Sequence, residues 1–362
     1  MENPEGKFPA EFDTYQEVKN GNFIFCMFDV QETPRTVGLS KFDGMITGAY
    51  TVFDVNENYN RDFLYYFYLN LDLDKRLKPL YRGLRNTIPK EWFLNFKTFV
   101  PSFKQQKTIA NFLDDKTAQI DQAIALKQQQ IEKLNEYKQI LIQNAVTKGL
   151  NPNAPMKNSG VEWIGDIPEH WKIDKLKNIL SSVSIKNHPN LPLLSITREK
   201  GVIERDIEDQ ESNHNFIPDD LSGYKLLKKG QFGMNKMKAW QGSYGVSDFT
   251  GIVSPAYYIF DINEKLNKNF FSLAIRSKFY VGYFASASDG VRIGQWDLNK
   301  TRMKEIPFII PSIEEQKAIY EFSLTINQQV KDAIEKYQIQ IDRLKEYKNI
   351  LINQAVTGKI KI

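Results

Sequence analysis

The chain has little of what active-site chemistry usually draws on. Its 362 residues include one cysteine, Cys26, and three histidines, His170, His188 and His214. A single cysteine excludes a disulfide framework and suits a reducing cytoplasm. The scattered histidines give no metal-ligand spacing. There is no Gly-x-x-x-x-Gly-Lys-Ser/Thr loop of the kind an ATP-driven motor uses to cradle phosphates. The cofactor-binding glycine loop and the Asn/Asp-Pro-Pro-aromatic motif that adenine methylation needs are both missing. The apolar stretch Phe63-Leu-Tyr-Tyr-Phe-Tyr-Leu69 is far too short to span a bilayer. The opening Met1-Glu-Asn-Pro-Glu-Gly-Lys7 has no basic patch followed by an apolar run, so it does not read as a secretory signal. What remains is an ordinary globular composition, 41% hydrophobic and 25% charged, at a length suited to two or three domains. The formal net charge of +4 is compatible with a polyanionic partner without indicating one.

The chain does contain a long internal repeat. Residues 101–150 and 311–360 match at a constant offset of 210, with 22 of 50 positions identical. A repeat this long and this far apart means two copies of one building block and a pseudo-twofold organisation. Leu113, Thr117, Ile120, Ile124, Lys127, Ile131, Leu134, Lys138, Leu141 and Ala145 alternate spacings of four and three, which is a heptad seam. The second copy places Ser323, Asn327, Val330, Ile334, Tyr337, Ile341, Leu344, Lys348, Leu351 and Ala355 at the same positions. No proline or glycine interrupts 104–147 or 314–357, so each copy predicts one helix of about 40 residues, on the order of 60 Å long. Ser102 and Ser312 are suited to cap the starts, and Gly149 and Gly358 to stop the ends. Two such helices in one chain can bury their seams against each other, most simply as an antiparallel coiled coil.

The rest divides into two heads of α+β character, giving segments 1–100, 101–150, 151–310 and 311–362. The second head is rich in aromatic and β-branched residues, with strands expected at Leu191–Thr197 and Ala256–Phe260 and a helix at Asn269–Tyr283. The first head repeats its later part: Gly38–Tyr50 aligns with Gly245–Tyr257 at 6 of 13 identities, and Gly83-Leu-Arg85 with Gly290-Val-Arg292. Only 20 residues precede Gly21, whereas 70 separate Gly160 from the matching Gly230. The first head therefore reads as incomplete, short of a beginning of about 50 residues by that difference.

In their order along the chain, several segments resemble the specificity (S) subunit of type I DNA restriction–modification enzymes. They are Val161-Glu-Trp-Ile-Gly-Asp-Ile-Pro-Glu-His-Trp171, Leu193-Leu-Ser-Ile-Thr-Arg-Glu-Lys-Gly201, Lys238-Ala-Trp-Gln-Gly-Ser-Tyr-Gly245 and Gly251-Ile-Val-Ser-Pro-Ala-Tyr257. To these are added the Pro-Ser-x-x-x-Gln-Lys helix starts and the Leu-x-Glu-Tyr-Lys-x-Ile-Leu-Ile helix ends. The resemblance covers essentially the whole chain. It implies a non-catalytic cytoplasmic subunit whose heads each read half of a bipartite double-stranded DNA target. It also implies helices that dock two methyltransferase (M) subunits, and a motor-nuclease (R) subunit joining for cleavage. S-adenosylmethionine, ATP and Mg would then belong to the partners, with no cofactor in this chain and no membrane.

Reading DNA needs cations for phosphates and polar side chains for base edges. Three segments of the second head have that chemistry. One is Thr197-Arg-Glu-Lys-Gly201, with Arg198 and Lys200. The next runs from Lys225, Lys228 and Lys229 through Lys236 and Lys238 to Trp240-Gln-Gly-Ser-Tyr-Gly245, with Gln241 and Ser243. The third is Ser288–Trp296, with Arg292 and Gln295; Arg85 is the match of Arg292 in the first head. Lysine runs are often only solvated surface, and Trp163, Trp171, Trp240 and Trp296 suit packing better than base stacking. Partner binding or coiled-coil pairing would fall to Ile120, Ile124, Ile131, Leu134, Leu141, Val330, Ile334, Ile341, Leu344 and Leu351. Other readings are a truncated or silent S subunit that reads one half-site, and a coiled-coil adaptor without DNA specificity.

Overall fold

The computed structural model describes residues 12–83, 86–206, 217–290 and 296–362. The chain forms two compact units, one of Met1–Glu132 with Ile334–Ile362 and the other of Lys133–Ala333. The mixed α and β character is as the sequence indicates. Both long helices form, at Phe103–Lys148 and Ile313–Val356. Each copy starts with a capping arrangement. Ser102 donates its N–H to Gln105 Oε1 (3.1 Å). In the second copy Ser312 N–H donates to Glu315 Oε2 (3.2 Å) while Glu315 N–H donates back to Ser312 Oγ (3.2 Å), a reciprocal capping box. At the ends, Gly149 and Gly358 take positive φ values of 77° and 68°.

In the second unit a four-stranded antiparallel sheet runs Tyr244–Val246, Phe232–Asn235, Tyr257–Ile262, Leu180–Val183. Strand alternation sends Phe232, Met234 and Phe260 to one face, where they meet Phe270, Phe271 and Phe284 in the main core. On the other face Ile259 packs with Leu194, Ile196, Leu227 and Val253. A fully buried Phe or Leu contributes roughly 1.5–3 kcal/mol, so the aromatic core dominates this unit's stability. Flanking strand pairs are Leu194–Thr197 with Gly201–Glu204, Lys225–Leu227 with Gly251–Val253, and Lys172–Lys175 with Pro307–Ile310. The expected single helix 269–283 is instead two, Lys268–Ile275 and Lys278–Ser286. Ser277 reopens the backbone to an extended conformation (φ −64°, ψ 155°) and starts the second helix.

The first unit repeats five of these strands in the same order, those from Lys225–Leu227 to Tyr257–Ile262. Phe23–Phe25 lies between Val37–Leu39 and Thr51–Phe53, and Tyr15–Val18 pairs with Gly44–Thr47. Small details are copied too. Gly21 N–H donates to Ser40 O (2.8 Å) and Gly230 N–H to Ser247 O (2.7 Å). Lys90 Nζ sits 5.3 Å over the Phe53 ring, and Lys300 Nζ 5.6 Å over Phe260. Several strands of the second unit, among them Lys172–Lys175, Leu180–Val183, Leu194–Thr197 and Gly201–Glu204, have no counterpart among the described residues of the first. Phe99, which matches the buried Ile309, is fully exposed.

The same side-chain clamp joins head to long helix in both units. In the first, Gln106 Oε1 accepts from the N–H of Asn60 (2.8 Å) while Gln106 Nε2 donates to Pro101 O (2.9 Å). In the second, Gln316 Oε1 accepts from Asn267 N–H (2.8 Å) and its Nε2 donates to Pro311 O (2.9 Å). Asn60 and Asn267 are themselves the N-caps of the head helices Arg61–Leu73 and Lys268–Ile275. One buried amide thus fixes the start of two helices at once. This is the role of the glutamine in the Pro-Ser-x-x-x-Gln-Lys motif.

The seam residues turn inward. Within the first unit, Ile120, Ile341 and Leu351 are buried and Ile124, Ile131, Ile334 and Leu344 half-buried; in the second, Val330 is buried and Leu134 and Leu141 half-buried. Asn327, a polar residue at a seam position, faces water instead. In the first unit the helices run antiparallel: Lys348 Nζ meets Asp121 Oδ2 (2.7 Å) and Lys127 Nζ donates to Gln340 Oε1 (2.6 Å).

Truncating the clamp strands a buried backbone N–H and carbonyl, which costs about 1–3 kcal/mol. Gln316→Ala should lower stability by that amount in urea denaturation, and Gln106→Ala should do the same to the first unit. A pH effect follows from Glu315, whose oxygens meet His170 Nε2 (2.9 Å) and Trp171 Nε1 (3.1 Å). Burial pushes its pKa up, but the bonds from His170, Trp171 and Ser312 outweigh burial and hold it below the usual carboxylate range. Because the folded value is depressed, the stabilisation is complete above the unfolded value of about 4.3 and is lost as pH falls through the lower folded one. The melting temperature should fall less steeply over that acid window in Glu315→Gln.

Candidate nucleic-acid interface

The break between the two helices of the second unit places Arg276 at the centre of a basic surface. Its Nη1 donates to Tyr244 O (2.9 Å), and its Nη2 donates to Arg198 O (2.9 Å) and Glu199 O (2.8 Å). One guanidinium therefore joins the turn Thr197–Gly201 to the strand Tyr244–Val246. The planar fork suits this, since its several donors diverge at fixed angles. Two glycines admit it. A Cβ on Gly201 would lie 2.7 Å from Arg276 Nη1, and Gly201 has φ +71°. The Cβ of a residue at 245 would meet the same nitrogen at 3.4 Å and the Cα of Gly201 at 3.4 Å.

The candidate DNA-contacting residues fare differently. Arg198 and Lys200 are exposed on the Arg276-held turn, which is further tied by Lys200 N–H donating to Thr197 Oγ1 (3.2 Å). Lys238 is exposed and Gln241 half-buried, at the short helical turn Ala239–Gln241. Ser243 is only 3% exposed, so it cannot reach a base edge. Its backbone instead ties the loop together, accepting from Asn235 N–H (3.0 Å) and donating to Lys238 O (3.2 Å). Lys236 is engaged by Asp297 (2.8 Å), whose hydrogen bond raises its pKa despite burial. Lys225 turns inward and donates to Tyr257 O (2.7 Å), with burial lowering its pKa. Lys228 and Lys229 are exposed. Trp240 and Trp296 are half-buried against each other, ring centroids 5.0 Å apart, as support. Arg85, Arg292 and Gln295 lie outside the described residues.

Two residues not singled out in the sequence complete the surface, Arg276 and Lys278. The signal was present as an arginine directly after the apolar Leu273-Ala-Ile275, where a long helix was expected. With Arg198, Gln241, Gly242 and Val281 they line a recess of 240 Å³ that has no carboxylate among the described residues lining it. Among the described residues no group of three or more His, Cys, Asp or Glu is placed to hold a metal ion, and no helix is long and apolar enough to cross a membrane.

Gly201→Ala adds a left-handed backbone cost of about 1–2 kcal/mol and displaces Arg276 from the turn. Urea denaturation should show that loss, and amide hydrogen exchange should rise at residues 198–201 in particular.

No protein-family model matches the chain. It is 28% identical over 322 residues to the type I restriction enzyme MjaVIII specificity subunit of Methanocaldococcus jannaschii, covering 83% of this chain and 71% of that protein. A putative type I restriction enzyme MjaX specificity subunit of the same organism is 24% identical over 283 residues, covering 77% of this chain and 62% of its own length. In fold, the chain matches one from a solved type I restriction–modification system with a TM-score of 0.62 at 12% identity, covering 95% of this chain and 84% of that one. It matches the HsdS subunit from Thermoanaerobacter tengcongensis with a TM-score of 0.51 at 14% identity, covering 95% and 82%. In sequence and in fold, the chain is thus similar to the specificity subunits of type I restriction enzymes.

Proposed function

We propose that the chain reads a bipartite double-stranded DNA target with its two heads, docks methyltransferase subunits on its long helices, and lends its specificity to the motor-nuclease subunit, in the cytoplasm. The observation that carries this reading is the second unit's basic surface, where Arg198, Arg276 and Lys278 meet around a recess with no carboxylate among the described residues lining it. Phosphate neutralisation of this kind sets register, while neighbouring polar groups such as Gln241 meet base edges in the major groove. S-adenosylmethionine, ATP and Mg belong, on this reading, to the partner subunits. Methylation would follow from flipping an adenine out of the stack by the partner, not by this chain.

A second reading, one half-site read by the second unit alone, is favoured by the strands from Lys172 to Glu204 that lack a counterpart among the described residues of the first. Co-expression with the neighbouring methyltransferase subunit, followed by genome-wide mapping of methylated adenines, separates the two. A motif with two defined halves is the expected result. One defined half would assign the reading to the second unit, and absence of both complex and methylation would sink the DNA-reading proposal.

A further inference from the structure

Resting on that reading, we infer that the recess between Arg198, Arg276 and Lys278 is a dedicated seat for one backbone phosphate of the DNA, the point that registers the second unit on the duplex. Three cations converge on a cavity of 240 Å³, which is room for a phosphodiester, and none of the described residues lining it is acidic.

Arg276 supplies the main argument. Its guanidinium is half-buried and bonded to three backbone carbonyls, those of Arg198, Glu199 and Tyr244. Burial pushes its pKa down. Carbonyls take three bonds from its five N–H donors and do not neutralise its charge, and a partly desolvated cation is costly. Several cations of the same unit have a carboxylate, Lys236 with Asp297 (2.8 Å) and Lys175 and Lys177 with Glu305 (2.7 and 2.9 Å), whereas Lys225, like Arg276, bonds a backbone carbonyl. Among the described residues lining this recess none is acidic; Glu136 and Asp248 line the larger recess that Arg276 and Lys278 also border. The nine-residue helix Lys278–Ser286 starts there, adding the positive end of its dipole. A single bound phosphate would answer all of these at once.

The seat is specific to the second unit. At the offset of 207 that aligns the two head helices, Arg276 and Lys278 correspond to Leu69 and Leu71, both buried in the first unit's core. The two heads would therefore hold the DNA backbone by different means.

The test uses the full chain co-purified with its methyltransferase subunit and a duplex carrying the mapped motif. Each neutralised phosphate contact contributes about −0.9 to the slope of log K against log salt. Lys278→Ala and Arg198→Ala should each weaken binding and make that slope shallower, by up to about one unit. A walk of single methylphosphonate substitutions along the duplex should find one position that weakens the unaltered complex and has no effect on the Lys278→Ala complex. Equal methylphosphonate profiles in both, or an unchanged salt slope, would overturn the seat while leaving DNA reading intact. Inorganic phosphate binding lost in Lys278→Ala, with the methylphosphonate profiles equal, would make it a free-phosphate site and also overturn it. No duplex binding by the unaltered complex would overturn the DNA-reading proposal along with the seat.

Discussion

Both units depend on one buried amide. Gln106 and Gln316 each hold the capping residue of a head helix with the carbonyl oxygen and the proline before the long helix with the amide nitrogen. A glutamine suits this place because its amide offers acceptor and donor about 2 Å apart in one plane. A carboxylate would lack the donor, and an apolar residue would leave a buried N–H and C=O unpaired. Around each clamp the strand order, the serine-to-glycine main-chain bond and the lysine over a phenylalanine ring are repeated.

The frame is conserved between the units while the surfaces have diverged. Asp289 and Arg302 form an ion pair in the second unit. Their matched positions in the first unit carry Arg82 and Trp92, with the guanidinium 3.8 Å from the indole centroid. The same two points on the fold are tied by charge in one copy and by a cation–π contact in the other. Arg276 against Leu69 is a sharper case, a surface cation in one head and a core residue in the other. The residues that build the frame are constrained, and those outside it are free to differ.

Much of the frame is legible in the sequence, because periodicity and repetition are local signals. The helices, their serine starts and glycine ends follow from spacing alone, and the aromatic run of the second head announces its core. The candidate surface is legible only in part. Ser243 has the right chemistry at the right place in the chain, yet a loop's fold, not its composition, decides which residues face water. Lys236 is occupied by Asp297, 61 residues away in sequence and adjacent only once the chain has folded. Arg276 is concealed by an apolar helical pattern that gives no hint of the break at Ser277. Its partners are carbonyl oxygens, which carry no side-chain signature at all.

The order of the units along the chain has a kinetic consequence. The second unit is one continuous stretch, whereas the first is completed by Ile334–Ile362. During synthesis the first 132 residues emerge long before the segment carrying Leu351, Ile352, Ala355 and Val356, which fill the first unit's core. At about 5–20 residues per second, the roughly 200 intervening residues take on the order of 10–40 s to make. The second unit can fold on the ribosome during that interval. The first has to keep Leu113 and Ile120 from wrong partners until its last helix arrives, so its yield depends more on crowding and on chaperone access than its folded stability would suggest.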